Sequence, residues 1–151
     1  MINFTPTGTS LAPADLDEIE QRFGFKFPQA FREHYLVHNG GSPDKNRFAG
    51  ENGRFIVHDF LPMKRSALVT LDTLETTVQC LKIDQQLIPV HLVPFAVDPG
   101  GDYYCFCTRQ DEEGSIYLYR MDHFREPERA AEYLAPSLGE FLSGLRKKGE
   151  A

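Results

Sequence analysis

The sequence predicts an α+β fold in which a single domain, residues 1–151, builds a mostly antiparallel sheet flanked by helices. Three observations predict it. Apolar residues recur at helical spacing near the N-terminus, short strand-like segments joined by turn residues follow Pro89, and a Ser-capped helical segment closes the chain. A chain of 151 residues matches one ordinary domain, which buries roughly 70% of its unfolded surface and needs no staples. With 41% hydrophobic and 25% charged residues, neither a disordered nor a fibrous chain is expected. Twelve Phe and six Tyr, with no Trp, supply the bulk of the packing.

The first helix is expected within Pro13 to Phe23. Leu16, Ile19 and Phe23 share a helical face, acidic residues fill the first turns, and Gly24 offers a left-handed stop. A second helix follows almost at once, with Pro28 at its first position, Phe31, Tyr35 and Leu36 as its apolar stripe, and Asn39-Gly40-Gly41 as its exit. Arg47 to Gly53 is polar and glycine-bearing, and it precedes a strand from Phe55 to Phe60. Asp72 and Glu75 have the spacing of a capping box for a third helix lined by Leu74, Val78 and Leu81. Strands are then expected at Val90 to Val97, Tyr103 to Thr108 and Ser115 to Tyr119. Their connections, Asp98-Pro99-Gly100-Gly101 and Asp111-Glu112-Glu113-Gly114, are short enough to favour an antiparallel meander. Ser137 and Glu140 make a second capping box ahead of Phe141, Leu142 and Leu145, and Arg146, Lys147 and Lys148 suit the negative end of that last helix.

A net charge of -6 and a pI near 5.3 speak against a phosphate-binding surface and for basic partners. The one cationic run, Arg146-Lys147-Lys148, is explained as a helix end, so no nucleic-acid partner is expected. No stretch approaches the roughly 20 apolar residues of a membrane span, and the N-terminus lacks a basic start and an apolar signal run. A cytoplasmic location is therefore expected. Cys80, Cys105 and Cys107 are odd in number and fit free thiols in a reducing compartment.

His34 and His38 stand four apart on one helix, as a metal pair would, but Tyr35 follows the first where a zinc-protease motif needs Glu. They read as two partly exposed histidines flanking a core stripe. Cys105 and Cys107 point to one face of a strand and read as small buried residues. Asp98, Asp102, Asp122 and His123 could assemble into an acid–base site, yet Asp-Pro-Gly-Gly-Asp is first of all turn chemistry. No nucleophile sits in an activated setting, and neither glycine pair has the spacing of a phosphate loop. No catalytic residue, metal or cofactor is expected.

The segments FGFKFPQAFREHYLVHNGG, LVPFAVDPGGDYYCFC, GSIYLYRMDHF and APSLGEFLSGL, taken in order, resemble the SUKH superfamily over nearly the whole chain. The family pattern places its proline step on Pro28, its helix exit on Asn39, Gly40 and Gly41, its Gly-Asp on Gly101 and Asp102, and its Asp-His on Asp122 and His123, all read as structural positions. Two positions depart from it: Phe27 stands for the usual Leu, and Phe106-Cys107 stands where relatives often carry an acidic residue. The resemblance implies a mixed sheet flanked by helices. It also implies the work of bacterial immunity proteins that neutralise polymorphic toxins, often nucleases, or of fungal cell-wall regulators acting as interaction hubs.

The function expected from this resemblance is non-enzymatic binding of a protein partner, the catalytic domain of a toxin. Contacts are expected in exposed loops, because loops carry variable recognition on a fixed scaffold. The residues are Asp44, Arg47, Glu51 and Arg54, then Asp98 and Asp102, then Asp111, Glu112 and Glu113. An intracellular scaffold without a toxin is the alternative, and a hydrolase built on Asp102 and His123 is a third reading.

Overall fold

In the computed structural model, which describes residues 2–5, 8–64 and 72–149, the chain opens with a short strand, β1 (Phe4–Thr5), and a helix, α1 (Pro13–Phe23). The Asp15 carboxylate accepts from the Ala12 amide at 2.8 Å, Leu16 and Ile19 turn inward, and Gly24 closes the helix at φ +76°. Helix α2 (Gln29–Val37) starts directly after Pro28. Glu20 fixes the angle between the two helices. Its buried carboxylate accepts from the Phe27 amide at 2.8 Å and meets the Arg32 guanidinium at 3.3 Å. Phe31 and Tyr35 are buried as expected, whereas Leu36 sits on the rim of the stripe and faces solvent.

The region expected as one connection and one strand folds differently. Strands β2 (Ser42–Pro43), β3 (Arg47–Gly50), β4 (Gly53–Ile56) and β5 (Asp59–Phe60) replace it. Arg47 to Gly53 is mostly the first arm and turn of a β3–β4 hairpin. Phe55 to Phe60 divides between two sheets, with Phe55 and Phe60 both buried. Helix α3 (Leu74–Val78) is capped by Thr73, whose hydroxyl accepts from the Thr76 amide, and not by Asp72. Glu75 instead reaches back to accept from the Lys64 amide at 2.7 Å. The helix runs into a π-helical turn, Gln79–Asp84, marked by the Gln85 amide bonding the Cys80 carbonyl five residues back.

Strands β6 (Leu92–Val97), β7 (Tyr103–Cys107) and β8 (Ile116–Tyr119) form the expected meander. After them come a short helix, α4 (Pro127–Ala130), and an edge strand, β9 (Ala131–Ala135), that the sequence reading did not anticipate. The five-stranded sheet has the order β5-β6-β7-β8-β9, antiparallel throughout. Helix α5 (Leu138–Ser143) is capped by the Ser137 hydroxyl but stops before the basic run. Leu145–Arg146 becomes a strand, β10, paired with β3 in a separate three-stranded sheet of order β10-β3-β4. Arg146 still donates to the Ser143 carbonyl at 2.7 Å, so it serves the helix end from a strand.

The period-two alternation of the central strands divides the apolar residues between two faces. Val93, Phe95, Tyr104, Phe106, Ile116 and Leu118 join α1, α2 and α5 in the main core. Leu92, Cys105, Cys107 and Tyr119 face the other way, against Ile88 and Ala130. Both thiols are therefore buried, and burial pushes the Cys105 thiol up. Pro94 interrupts a central strand, where its missing N–H requires a bulge, and the register slips between Pro94 and Ala96. The Phe95 carbonyl at the bulge accepts instead from the Leu61 amide at 2.8 Å and the Tyr35 hydroxyl at 3.3 Å.

His34 adds a pH-dependent element to this core. Its ring packs against Phe4, Phe60 and His38, and among the described residues its buried Nε2 has no hydrogen-bond partner. Burial, reinforced by His38, lowers its pKa to about 4. Since an unfolded histidine titrates near 6.5, the unfolded chain binds the extra proton first, and stability is lost as pH falls from about 6.5 towards 4. The expected loss between about pH 7.5 and pH 4.5 from this group is roughly 2 to 3 kcal/mol. Urea midpoints of the wild type and of His34→Phe should diverge over that range. Parallel pH profiles for the two proteins would remove His34 from the explanation.

Candidate protein-binding groove

An open groove of about 1030 Å³, the most voluminous concavity described, lies at the end of the sheet where β6 begins and β7 ends. Three segments distant in sequence build it. The α1–α2 connection contributes Phe23, Phe25 and Lys26, the π-helical turn and the chain after it contribute Lys82, Ile83 and Val90, and the end of β7 leads to Arg109 and Glu113. Ile83 is 48% exposed and Val90 is 85% exposed, an unusual outlay of aliphatic surface beside two half-buried phenylalanines. Gln86, also on the wall, holds φ at +53°, a conformation that a non-glycine residue adopts only under constraint.

The charged side chains of the groove are mostly cationic. Lys82 is fixed: its ammonium donates to the Val90 carbonyl at 3.0 Å and lies 5.9 Å from the Phe25 ring centroid, and burial lowers its pKa. His91 is also shifted down, first by burial and then by Arg109. Lys26 reaches the Glu20 carboxylate only at 3.8 Å and is otherwise solvated. Among the described lining residues, Glu113 is the carboxylate that faces the three cations, on a chain whose total is -6.

The loop residues expected to bind a partner fall into separate places. Consecutive turns of an antiparallel meander lie at opposite ends of the shared strand. Asp98 and Asp102 are thus separated from Asp111, Glu112 and Glu113 by the length of β7, five residues or roughly 17 Å. Asp44, Arg47, Glu51 and Arg54 lie on or beside the three-stranded sheet, Glu51 and Arg54 exposed at the hairpin. Several of these side chains already serve the fold. Asp44 accepts from the backbone and side-chain nitrogens of Asn3, which holds its carboxyl below the usual range. Asp98 accepts from the amides of Gly100 and Asp102 at 2.9 and 2.8 Å, closing the turn that Gly101 enters at φ +97°. Asp102 accepts from the Met121 amide at 2.9 Å and so ties that turn to the 121–123 helical turn carrying Asp122 and His123. Glu112 receives the Tyr117 hydroxyl on both oxygens at 3.0 Å, and burial together with this bond pushes Tyr117 up to about 12. Asp111 and Glu113 remain exposed, and Glu113 alone of the nine reaches the groove.

No hydrogen bond or ion pair joins Asp102 to Asp122 or His123 among the described residues, and Asp102 is occupied by Met121. No group of three or more His, Cys, Asp or Glu residues is placed to hold a metal ion among them. No described helix is long and apolar enough to cross a membrane. Three of the family-pattern positions make close contacts within the fold. Asn39 donates to the carbonyls of Thr9 and Met63 and accepts from the Met63 amide, while Gly40 and Gly41 hold φ values of +82° and +110° against Pro62 and β1. Apart from Glu113, the groove residues carried no signal in the sequence, since Lys26, Lys82 and Arg109 converge only through the fold and Val90 reads as the start of a strand.

Comparison with curated proteins returns no match. A family model matches residues 10–144, from the residue before Leu11 to the residue after α5, and spans every wall of the groove and every family-pattern position above. The chain belongs to the SMI1 / KNR4 family (SUKH-1).

Proposed function

We propose that this protein is a non-enzymatic binding domain, a cytoplasmic immunity-type protein that neutralises the catalytic domain of a cognate bacterial toxin by covering it. Family membership supports the class, and the observation that carries the reading is the open groove with Ile83 and Val90 displayed on it. A surface of this kind gains by being covered, at roughly 25 cal/mol for each Å² of apolar area removed from water. The acidic loops steer the encounter, because their charge acts at a distance and raises association rates with a basic partner. Blocking access needs no chemistry of the protein's own.

Co-expression with the toxin-like reading frame nearest its gene tests this reading. Host survival that depends on this protein, together with a co-purifying complex, is the expected result. Lethality regardless of this protein would overturn it and favour an intracellular scaffold acting on a host protein.

A further inference from the structure

Resting on that binding role, we infer that the groove receives an extended acidic segment of the partner, in which an apolar residue is flanked by carboxylates. The apolar residue fills the space between Ile83, Val90 and the edges of Phe23 and Phe25. The flanking carboxylates meet Lys26 and Arg109 at the rim and Lys82 deeper in.

Charge complementarity decides the sign. A basic segment would bring cations against Lys26, Lys82 and Arg109, and among the described lining residues Glu113 is the carboxylate that would attract them. An acidic segment gains from each, more so as the groove loses water and the local dielectric falls. Lys82 is pre-placed by the Val90 carbonyl and the Phe25 ring, so little side-chain entropy is lost on meeting a carboxylate. Its half-buried ammonium donates to a carbonyl and has no carboxylate within ion-pair distance among the described residues, so part of its lost hydration is uncompensated. The segment's carboxylate completes that pair. A nucleic-acid backbone fits less well. It would repeat its charge beyond three cations onto a chain of net -6 and would leave Val90 against phosphate. The acidic groups of the loops and the cationic groove thus address different parts of one partner.

Panning a random dodecapeptide display library against the folded protein tests the inference without knowledge of the partner. Enrichment of acidic sequences with an apolar centre is expected. The double variant Lys26→Glu, Arg109→Glu should weaken the enriched peptides about tenfold or more, and Val90→Ser severalfold. Both cations are exposed, so the double variant should keep the wild-type circular dichroism and melting temperature. Enrichment of basic sequences, no enrichment, or binding indifferent to the double variant would overturn the inference. So would groove-dependent binding of a single-stranded oligonucleotide in place of peptides. In the co-expression assay, rescue by the double variant equal to wild type sinks the groove assignment and leaves the immunity reading standing. Failure of the wild type to rescue sinks that reading, while panning still reports the chemistry of the groove.

Discussion

Replacing Asn39 with alanine is expected to lower stability by about 3 to 5 kcal/mol, without touching the groove. The Asn39 amide makes three hydrogen bonds, to the Thr9 carbonyl at 2.7 Å, to the Met63 carbonyl at 2.9 Å and from the Met63 amide at 2.7 Å. Met63 is wholly buried, so truncation leaves both of its backbone groups without water or a substitute, each at about 1 to 3 kcal/mol. Asp at the same position would keep the acceptor but turn a carboxylate towards two carbonyls, so it should not rescue. Urea denaturation measures the loss, which is a large share of the 5 to 15 kcal/mol typical of a domain. A change below about 1 kcal/mol would show that the three bonds are replaceable.

Gly41→Ala should cost a similar amount for a different reason. Gly41 holds φ at +110°, where an L side chain is strained, and an added Cβ would be driven into the Thr5 carbonyl oxygen. The backbone cannot retreat, because its amide donates to the Phe60 carbonyl at 3.0 Å and its carbonyl accepts from the Phe60 amide at 2.8 Å. The cheaper escape is to release β1, a two-residue strand that pairs Phe4 with Pro43 and Thr5 with Ser42. A loss of about 3 to 5 kcal/mol, with new protease sensitivity near the N-terminus, is the expected outcome. Unchanged stability with β1 still protected would contradict the packing described at this turn. The two positions together explain why an Asn-Gly-Gly exit is needed: the amide binds the chain at Thr9 and Met63, and the glycines let it pass close to Pro62 and β1.

Much of the fold was legible because local signals agreed with tertiary demand. Helix α1 ends where Gly24 stops it, and the meander follows from strand-formers separated by Asp, Gly and Pro turns. Legibility failed where pairing overrode propensity. Ala131–Ala135 is a run of helix-favouring residues, yet it pairs along β8 as an edge strand, with Tyr133 opposite Tyr117. Leu145–Arg146 leaves the expected helix because β3 offers a partner. The site was less legible than the fold. Net charge summed over the chain pointed to an acidic recognition face, but it could not reveal that Lys26, Lys82 and Arg109 gather in one groove. The loop carboxylates looked available as letters, whereas Asp44, Asp98, Asp102 and Glu112 are held by hydrogen bonds that only the structure supplies.

The most direct test of the central claim, that the protein acts by covering a partner with this groove, is hydrogen–deuterium exchange of the complex recovered by co-expression. The account predicts new protection in segments 82–91 and 108–113, with the β6–β7 turn and the three-stranded sheet little changed. Protection confined to that turn and that sheet, with the groove exchanging as in the free protein, would contradict it.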